Sequence, residues 1–321
     1  MGLSQNMSSY PGGFPNGIEV QGMPVLNTYG GKVFWVDSNG PGSGTNKGPR
    51  KGTFNHPMAT LDSAVSQAQG SRGDIVMIKP GHTETISSAT ALALDVADVT
   101  IVGLGSGTSR PTFTLDTATT TTIAVSAANA TIRNIIFSAN FADIAELFTP
   151  TAVNLVCIDC KFTATATNMN FVEIADTGTT DNEADGLSFV RCEWIEPDTA
   201  TTSLVNVDAD LDRLTVVDCY IDLGVNGVLS AIGEIAAGKD LTNVNIRGNY
   251  VSRLVTGSAV QLLTFVDTTT TNTGIAAYNF CRSLDVAGEL LISAGTNISQ
   301  YENRSTSVID KSGYLLPAAD S

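Results

Sequence analysis

The residues of this chain that could do chemistry are its carboxylates, five cysteines and two histidines. Cleavage of a glycosidic bond needs two carboxyl groups roughly 5 to 9 Å apart on one face, one acid and one base or nucleophile. Three sets of residues offer such a pair: Asp159 with Asp218, Glu193 with Glu196, and the run Asp208, Asp210 and Asp212. Asp159 and Asp218 occupy equivalent places in two copies of a repeated phrase, and Arg191 holds the same place in the copy between them. Two units apart in a stacked coil is roughly 9 to 10 Å. The intervening arginine favours a charge-compensated ladder over a catalytic pair. The Asp208–Asp212 run could ligate calcium, but the Gly-Gly-x-Gly-x-Asp nonapeptide repeat is absent, so a solvated acidic turn is the expectation. Cys157 and Cys160 have C-x-x-C spacing. Residues three apart on a strand face opposite ways, which argues against a redox or zinc pair. His56 precedes Pro57 in a loop and His82 sits at a strand-to-coil turn, which gives a Ser-His-Asp triad little support. No catalytic residue, metal ligand or cofactor is therefore assigned.

The element that must position these residues is a repeat. Residues 130–137, 155–162, 187–194, 214–221 and 244–251 are variants of one apolar-polar phrase, with weaker copies at 99–105 and 276–281. One column of the alignment holds Gly103, Ile135, Cys160, Cys192, Cys219, Asn249 and Asn279, at spacings of 32, 25, 32, 27, 30 and 30. A period in this range identifies a solenoid. Short runs with apolar residues at alternate positions make it a β-solenoid. The expected fold is all-β, a right-handed parallel β-helix with an N-terminal capping helix and an extended N-terminal arm. Ile135, Cys160, Cys192 and Cys219 are expected to stack inside, with Phe137, Phe162 and Trp194 stacked beside them. The polar residues just before that stack, Asn134, Asp159, Arg191, Asp218 and Gly248, are expected at a turn. Trp194 reads as core, not as a sugar platform, and aromatic residues at 7 % do not suggest a ring-lined groove.

Composition bounds the function. A net charge of -15 argues against binding a nucleic-acid backbone. The charge is uneven: residues 1–60 carry +2 and the remainder -17. An odd number of cysteines at core positions reads as reduced thiols acting as small apolar fillers, which suits assembly in a reducing cytoplasm. No stretch has the length of a transmembrane span, and the start lacks a basic, apolar signal peptide.

In chain order, residues 1–31 read as an extended arm that docks on another surface. They are rich in Gly, Pro, Ser and Asn, yet present Tyr10, Phe14, Ile18, Met23, Val25 and Leu26. Residues 32–98 read as an N-terminal cap: a strand over 32–37, a Gly-rich loop, a helix over 59–69 with Thr60 as N-cap and Gly70 as stop, and a buried strand over 74–79. The helix would cover the open apolar end of the coil. Residues 99–295 are the β-helix, with a further strand expected at 289–293. Residues 296–321 are a C-terminal cap or tail.

A resemblance runs through these segments. VFWVDSNG at 33–40, ATLDSA at 59–64 and GDIVMIKPGHTE at 73–84, followed by coils, resemble right-handed β-helix proteins of tailed bacteriophages. The arm YPGGFPNGI at 10–18, ending in GMPV at 22–25, resembles the leader of phage virion proteins. The resemblance covers residues 8 to about 300. It implies a non-enzymatic virion protein, best a head decoration or capsid-stabilising protein attached through its arm. The implied partners are a capsid or other virion protein and further copies of the chain, as a trimer, with neither nucleic acid nor membrane. The alternative within the same resemblance is a tail-associated spike that binds or cleaves a host surface polysaccharide. Pectate-lyase catalytic motifs are not visible in the chain.

Overall fold

The computed structural model describes residues 18–20, 23–25, 31–39, 51–141, 144, 146–164, 172–174, 182–195, 205–207, 209–222, 230–234, 239–252, 261–264, 271–282, 297–306 and 314–316. They form a parallel β-helix with three walls. The first wall is a ten-stranded parallel sheet that runs from Val33–Val36 and Ile75–Ile78 through Thr131–Arg133, Val156–Ile158 and Ser188–Val190 to Asn297–Tyr301. The second wall runs in parallel from Thr83–Ile86 to Asn303–Thr306. Tyr314–Leu316 closes it as an antiparallel edge strand. The third wall is two shorter parallel sheets, Ala93–Leu94 to Phe148–Pro150 and Val172–Ile174 to Gln261–Thr264. The ladder thus extends beyond 99–295 at both ends.

Each repeated phrase, whose apolar alternation reads as one short strand, is two strands in two walls. Thr131–Arg133 belongs to the first sheet and Ile136–Ala139 to the second. The chain bends between them at Asn134, whose φ is 57°. The equivalent residues Asp159, Arg191, Asp218, Tyr278 and Glu302 also have positive φ, as does Gly248. Asn, Asp and Gly tolerate this left-handed conformation; Arg, Tyr and Glu enter it against a cost of about 1–2 kcal/mol. A second left-handed column, Asp98, Asn129, Asn154, Gly186, Arg213 and Asn243, precedes the first-sheet strands. The strands between the two columns, such as Thr131–Arg133 and Ser188–Val190, are short because a corner stands at each end.

Alternation then fills the interior. Ile101, Ile132, Cys157, Phe189, Val216, Ile246 and Ala276 point inward from the first sheet. Phe113, Phe137, Phe162, Trp194, Ile221, Val251 and Cys281 point inward from the second. Parallel in-register pairing sets like side chains one strand spacing apart, so Phe137 stacks on Phe162 (5.7 Å between centroids, 10° between planes) and Phe162 on Trp194 (5.0 Å, 24°). Such pairs contribute about 0.5–1.5 kcal/mol beyond area burial.

Ile135, Cys160, Cys192 and Cys219 are buried at the corner between the two sheets, and Asn249, Asn279 and Asn303 continue the column. The corner breaks the backbone ladder, so its amides need side-chain partners. Asn279 Oδ1 accepts from Asn249 N (3.1 Å), and Asn303 Oδ1 accepts from Asn279 N (3.1 Å). The Asn279 Nδ2 group donates back to Ile246 O at 3.0 Å. Cysteine makes weaker versions of the same bonds: Cys219 Sγ accepts from Cys192 N (3.4 Å) and donates to Phe189 O (3.6 Å).

The helix is Leu61–Val65, shorter than 59–69. Thr60 is its N-cap and accepts from Ser63 N. Its C-cap is Ser66, and a tighter turn follows in which Gln67 N and Ala68 N donate to Ala64 O and Val65 O, so Gly70 is not the residue that ends the helix. Leu61, Ala64 and Val65 face the strands Val33–Val36, Ile75–Ile78 and Ala93–Leu94, where the helix plugs the first coil. In the arm, Ile18–Val20 pairs antiparallel with Met23–Val25. Tyr10, Phe14 and Leu26 lie outside the described residues, as do the side chains of Ile18, Met23 and Val25 and the strand expected at 289–293.

Replacing Asn279 by Leu leaves the Asn249 amide unpaired in the interior and removes the side-chain bond to the Ile246 carbonyl. The expected loss is roughly 2–4 kcal/mol: about 1–3 for the unsatisfied buried amide and about 1 for the lost hydrogen bond. Asn279→Cys should lose less, because sulfur can stand in for both bonds. Chemical denaturation of both variants measures the order, and equal losses would count against the ladder.

Candidate functional site

The carboxylates are where the corners put them. Asp159 lies on the first left-handed column, and Arg191 of the next coil grips it through two bonds of 2.7 and 3.0 Å. Arg133 of the preceding coil approaches to 4.0 Å. The hydrogen bonds from Arg191, helped by the charges of Arg191 and Arg133, hold the Asp159 carboxyl below the usual aspartate range against the opposing effect of burial. An acid held in this way is ionised and cannot donate a proton to a leaving oxygen at neutral pH. Both partners are about half exposed, so the pair contributes at most about 1 kcal/mol. Gly248 ends this ladder beyond Asp218: its φ is +67°, and a Cβ there would run into the Asp218 carboxylate.

Glu193 lies outside the second sheet and pairs with Lys161 of the previous coil at 3.3 Å. Glu196 and Asp208 lie outside the described residues. Asp210 and Asp212 do not converge. Asp210 accepts from Asp240 N of the next coil at 2.9 Å, while Asp212 accepts from Thr242 Oγ1 (2.9 Å) and Asn243 Nδ2 (2.7 Å). Sequence reasoning missed Asp185, which accepts from Asp212 N at 2.8 Å. Burial, with the nearby Asp212 charge, pushes the Asp185 carboxyl up. Burial also acts on Asp212, but the Asn243 and Thr242 bonds and the Arg213 charge outweigh it and hold that carboxyl down. Among the described residues no three His, Cys, Asp or Glu side chains form a metal-binding group.

Cys157 and Cys160 both face the interior, contrary to the expectation for residues three apart on one strand. The left-handed corner at Asp159 reverses the alternation between them. All five cysteines are free and buried, and burial pushes the Cys157, Cys192 and Cys281 thiols up, away from the reactive thiolate. Trp194 is buried among Phe162 and Phe189.

An outward aromatic column on the second sheet was also missed. Tyr220, Tyr250 and Phe280 stack at 5.4 Å between successive centroids, with interplanar angles of 3° and 17°. The signal was available: each follows the corner residue of its copy, Cys219, Asn249 or Asn279. The ring faces cover one another and leave mainly edges to solvent, so the column is a stacked rib and not a flat bed for a sugar.

The densest polar site lies under the cap. His82 is fully buried; its Nδ1 accepts from Ser38 N at 2.9 Å, and its Nε2 faces Glu84 Oε2 at 3.2 Å. Glu84 Oε2 also accepts from Leu61 N, the first amide of the helix, at 2.8 Å. Ser38 Oγ accepts from Thr83 N (3.2 Å) instead of bonding the imidazole. Ser, His and Glu are thus together but wired as a clip between loop, coil and helix. At the opposite end of the strands Val33–Val36 and Ile75–Ile78, buried Asp74 accepts from Lys32 N (2.7 Å), Gln69 N (2.8 Å) and the Arg72 guanidinium. Burial alone would raise the Asp74 carboxyl; the Arg72 bonds and two backbone amides outweigh it and hold it below the usual range. His56 is exposed in the loop after Val33–Val36.

The class defined by this arrangement is a parallel β-helix protein in which the described side chains mainly bond coil to coil. No protein-family model matches the chain, and no curated protein matches it. Similar solved structures include a rhamnogalacturonan lyase (14 % identity, TM-score 0.43, covering 85 % of this chain and 87 % of that one). Pectate lyase Pel9A is similar at 12 % identity and a TM-score of 0.40, over 85 % and 79 %. The ORF18 protein of Geobacillus virus E2 is similar at 13 % identity and a TM-score of 0.30, over 85 % of this chain and 61 % of that one. Among the described residues no helix is long and apolar enough to cross a membrane.

The Asp74 clip has a pH signature. A carboxyl depressed by folding adds stability that is complete above the unfolded value, about 3.9, and is lost as pH falls through the lower folded value. Asp74→Asn should therefore lower stability at pH 7 by about 1.5–3 kcal/mol, as expected for hydrogen bonds to a charged group. It should also flatten the pH dependence below about pH 4. Thermal unfolding of both proteins between pH 2 and 7 measures this; parallel curves would remove Asp74 from the account.

Proposed function

We propose that this chain is a non-enzymatic structural protein of a tailed-bacteriophage virion, and specifically a head decoration protein that docks through residues 1–31. The observation that carries the non-enzymatic part is the fate of the exterior carboxylates. Asp159 and Glu193, offered by the sequence as half of a catalytic pair, are each bonded to a basic residue of the neighbouring coil. The virion part rests on the resemblance of the arm, of the segments at 33–40, 59–64 and 73–84, and of the coils that follow. A body of net charge -17 behind an arm and loop region of +2 suits a rod that faces outward among many copies while its basic end meets the particle.

The second reading is a tail-associated spike that cleaves a host polysaccharide. Asp185 and Asp212 favour it: two adjacent carboxyls driven in opposite directions are what an acid and a base require.

Immunogold labelling of intact particles with antibody to residues 99–281 should place label over the head, and deletion of residues 1–31 should leave the rod folded but abolish attachment. Label confined to the tail, or full attachment of the truncated rod, would overturn the decoration reading. On the second reading, incubation with host surface polysaccharide would release oligosaccharides, and Asp185→Asn would reduce the rate at least 100-fold, the usual scale of a lost general acid. No release by the wild-type chain is the expected outcome.

A further inference from the structure

The outer face of the first sheet is two columns of ten residues. One runs Trp35, Met77, Val102, Arg133, Ile158, Val190, Val217, Arg247, Ala277 and Tyr301; the other runs Val33, Ile75, Thr100, Thr131, Val156, Ser188, Thr215, Asn245, Ile275 and Ser299. Neither column contains an acidic residue, in a chain with 32 of them. The second sheet differs, with Lys161, Glu193, Asp222 and Arg282 on its outer side. Among the described residues six large hydrophobic side chains are exposed, and five belong to the first-sheet face or its margin. Val33 (44 %) and Phe54 (57 %), whose ring meets Trp35, lie at one end; Ile275 (50 %), Tyr278 (57 %) and Tyr301 (56 %) lie at the other.

We infer that this face is where copies of the chain pack on one another, with rods parallel and in register. Three observations choose a second copy as the occupant. Charge comes first: two bodies of net charge -15 repel, and the two columns of this face, free of carboxylates although Asp159, Asp218 and Glu302 stand at the corner beside them, are where they can approach. Register comes second. With rods parallel each coil meets its own equivalent, so Val33 and Trp35, Ile75 and Met77, and Val156 and Ile158 meet apolar partners, while Arg133 meets Thr131 and Arg247 meets Asn245. An antiparallel mate would instead set coil four on coil seven and coil eight on coil three, burying Arg133 on Val217 and Arg247 on Val102. Area comes third. Ten strands span roughly 43 Å, and a width of about 15 Å gives about 650 Å² per copy or ~1,300 Å² per pair, within the range of specific interfaces. Parallel packing closes into a cyclic dimer or trimer. It holds whether the particle carries the protein on its head or its tail.

The test is the mass of the full chain by light scattering at micromolar concentration, with Ile158→Glu/Val190→Glu on the face and Thr114→Glu on the second sheet as control. The wild-type chain and the control should run at two or three times the monomer mass, and the double variant at the monomer mass with an unchanged β circular-dichroism spectrum. A monomeric wild type, or a folded double variant that stays assembled, would overturn the proposal. Should the double variant unfold, Arg247→Glu, at an exposed side chain, is read in its place by the same criterion. A spin label on Glu302→Cys, near one end of the rod, gives the orientation. Parallel rods bring the labels of neighbouring copies closer than one rod length, roughly 40 Å, while antiparallel rods set them about that far apart or more.

Discussion

The structure depends on what happens to a backbone amide at the corner between the first and second sheets. A three-walled coil must change direction there within two residues. The left-handed residue makes the bend and takes the corner out of the strand ladder, deep enough that water cannot serve its polar groups. The next coil supplies the partner. At Cys219, Asn249 and Asn279 one side chain both accepts from the corner amide of the coil before it and donates to an inner-strand carbonyl of that coil. Coil-to-coil order is therefore reinforced at this column, and the loops on the other side of each turn, whose lengths differ between repeats, lie away from it.

The same constraint explains why polar residues follow the repeat so closely. Once a corner is fixed, the side chain on it has neighbours one strand spacing above and below. Asp159 and Arg191 then neutralise each other across coils, and Asn154 Nδ2 donates to Asn129 Oδ1 at 2.8 Å in the second corner column. Groups that would count as catalytic candidates on an irregular scaffold become fasteners on this one. The departures stand out for that reason: Asp185 beside Asp212, and a first-sheet exterior that carries neither a carboxylate nor a continuous polar ladder. Parallel sheets are ordinarily covered on both faces. Here the inner face is covered by the chain's own core, while the outer face shows apolar side chains along its length.

The cap obeys a related rule at the solenoid's end. An open coil would expose apolar Val76, Ile78 and Leu94, and the helix Leu61–Val65 closes it with its own apolar side. A helix of five residues is not stable by propensity alone. Glu84 accepting from its first amide, Thr60 capping it and Asp62 Oδ1 accepting from Ala93 N tie it to the coil.

The sequence by itself determined the solenoid and its all-β character, the inward stack of Ile135, Cys160, Cys192 and Cys219, and the turn position of Asn134, Asp159, Arg191, Asp218 and Gly248. Stacking puts equivalent residues on equivalent neighbours, so periodicity in one dimension is already a contact map. It also made Asp159 and Arg191 legible as a ladder. The corner angle was not legible, because a single left-handed residue leaves the apolar alternation looking like one continuous strand. That angle turns Cys157 and Cys160 to the same side, splits each phrase between two walls and collects Met77, Val102, Ile158, Val190 and Val217 on one outer face. Asp185 and Asp212 each stand one residue before a second-column corner, so their meeting follows the repeat. The wiring of His82 to Ser38 and of Glu84 to Leu61 was decided only by tertiary structure, since it joins segments tens of residues apart that share no repeat position.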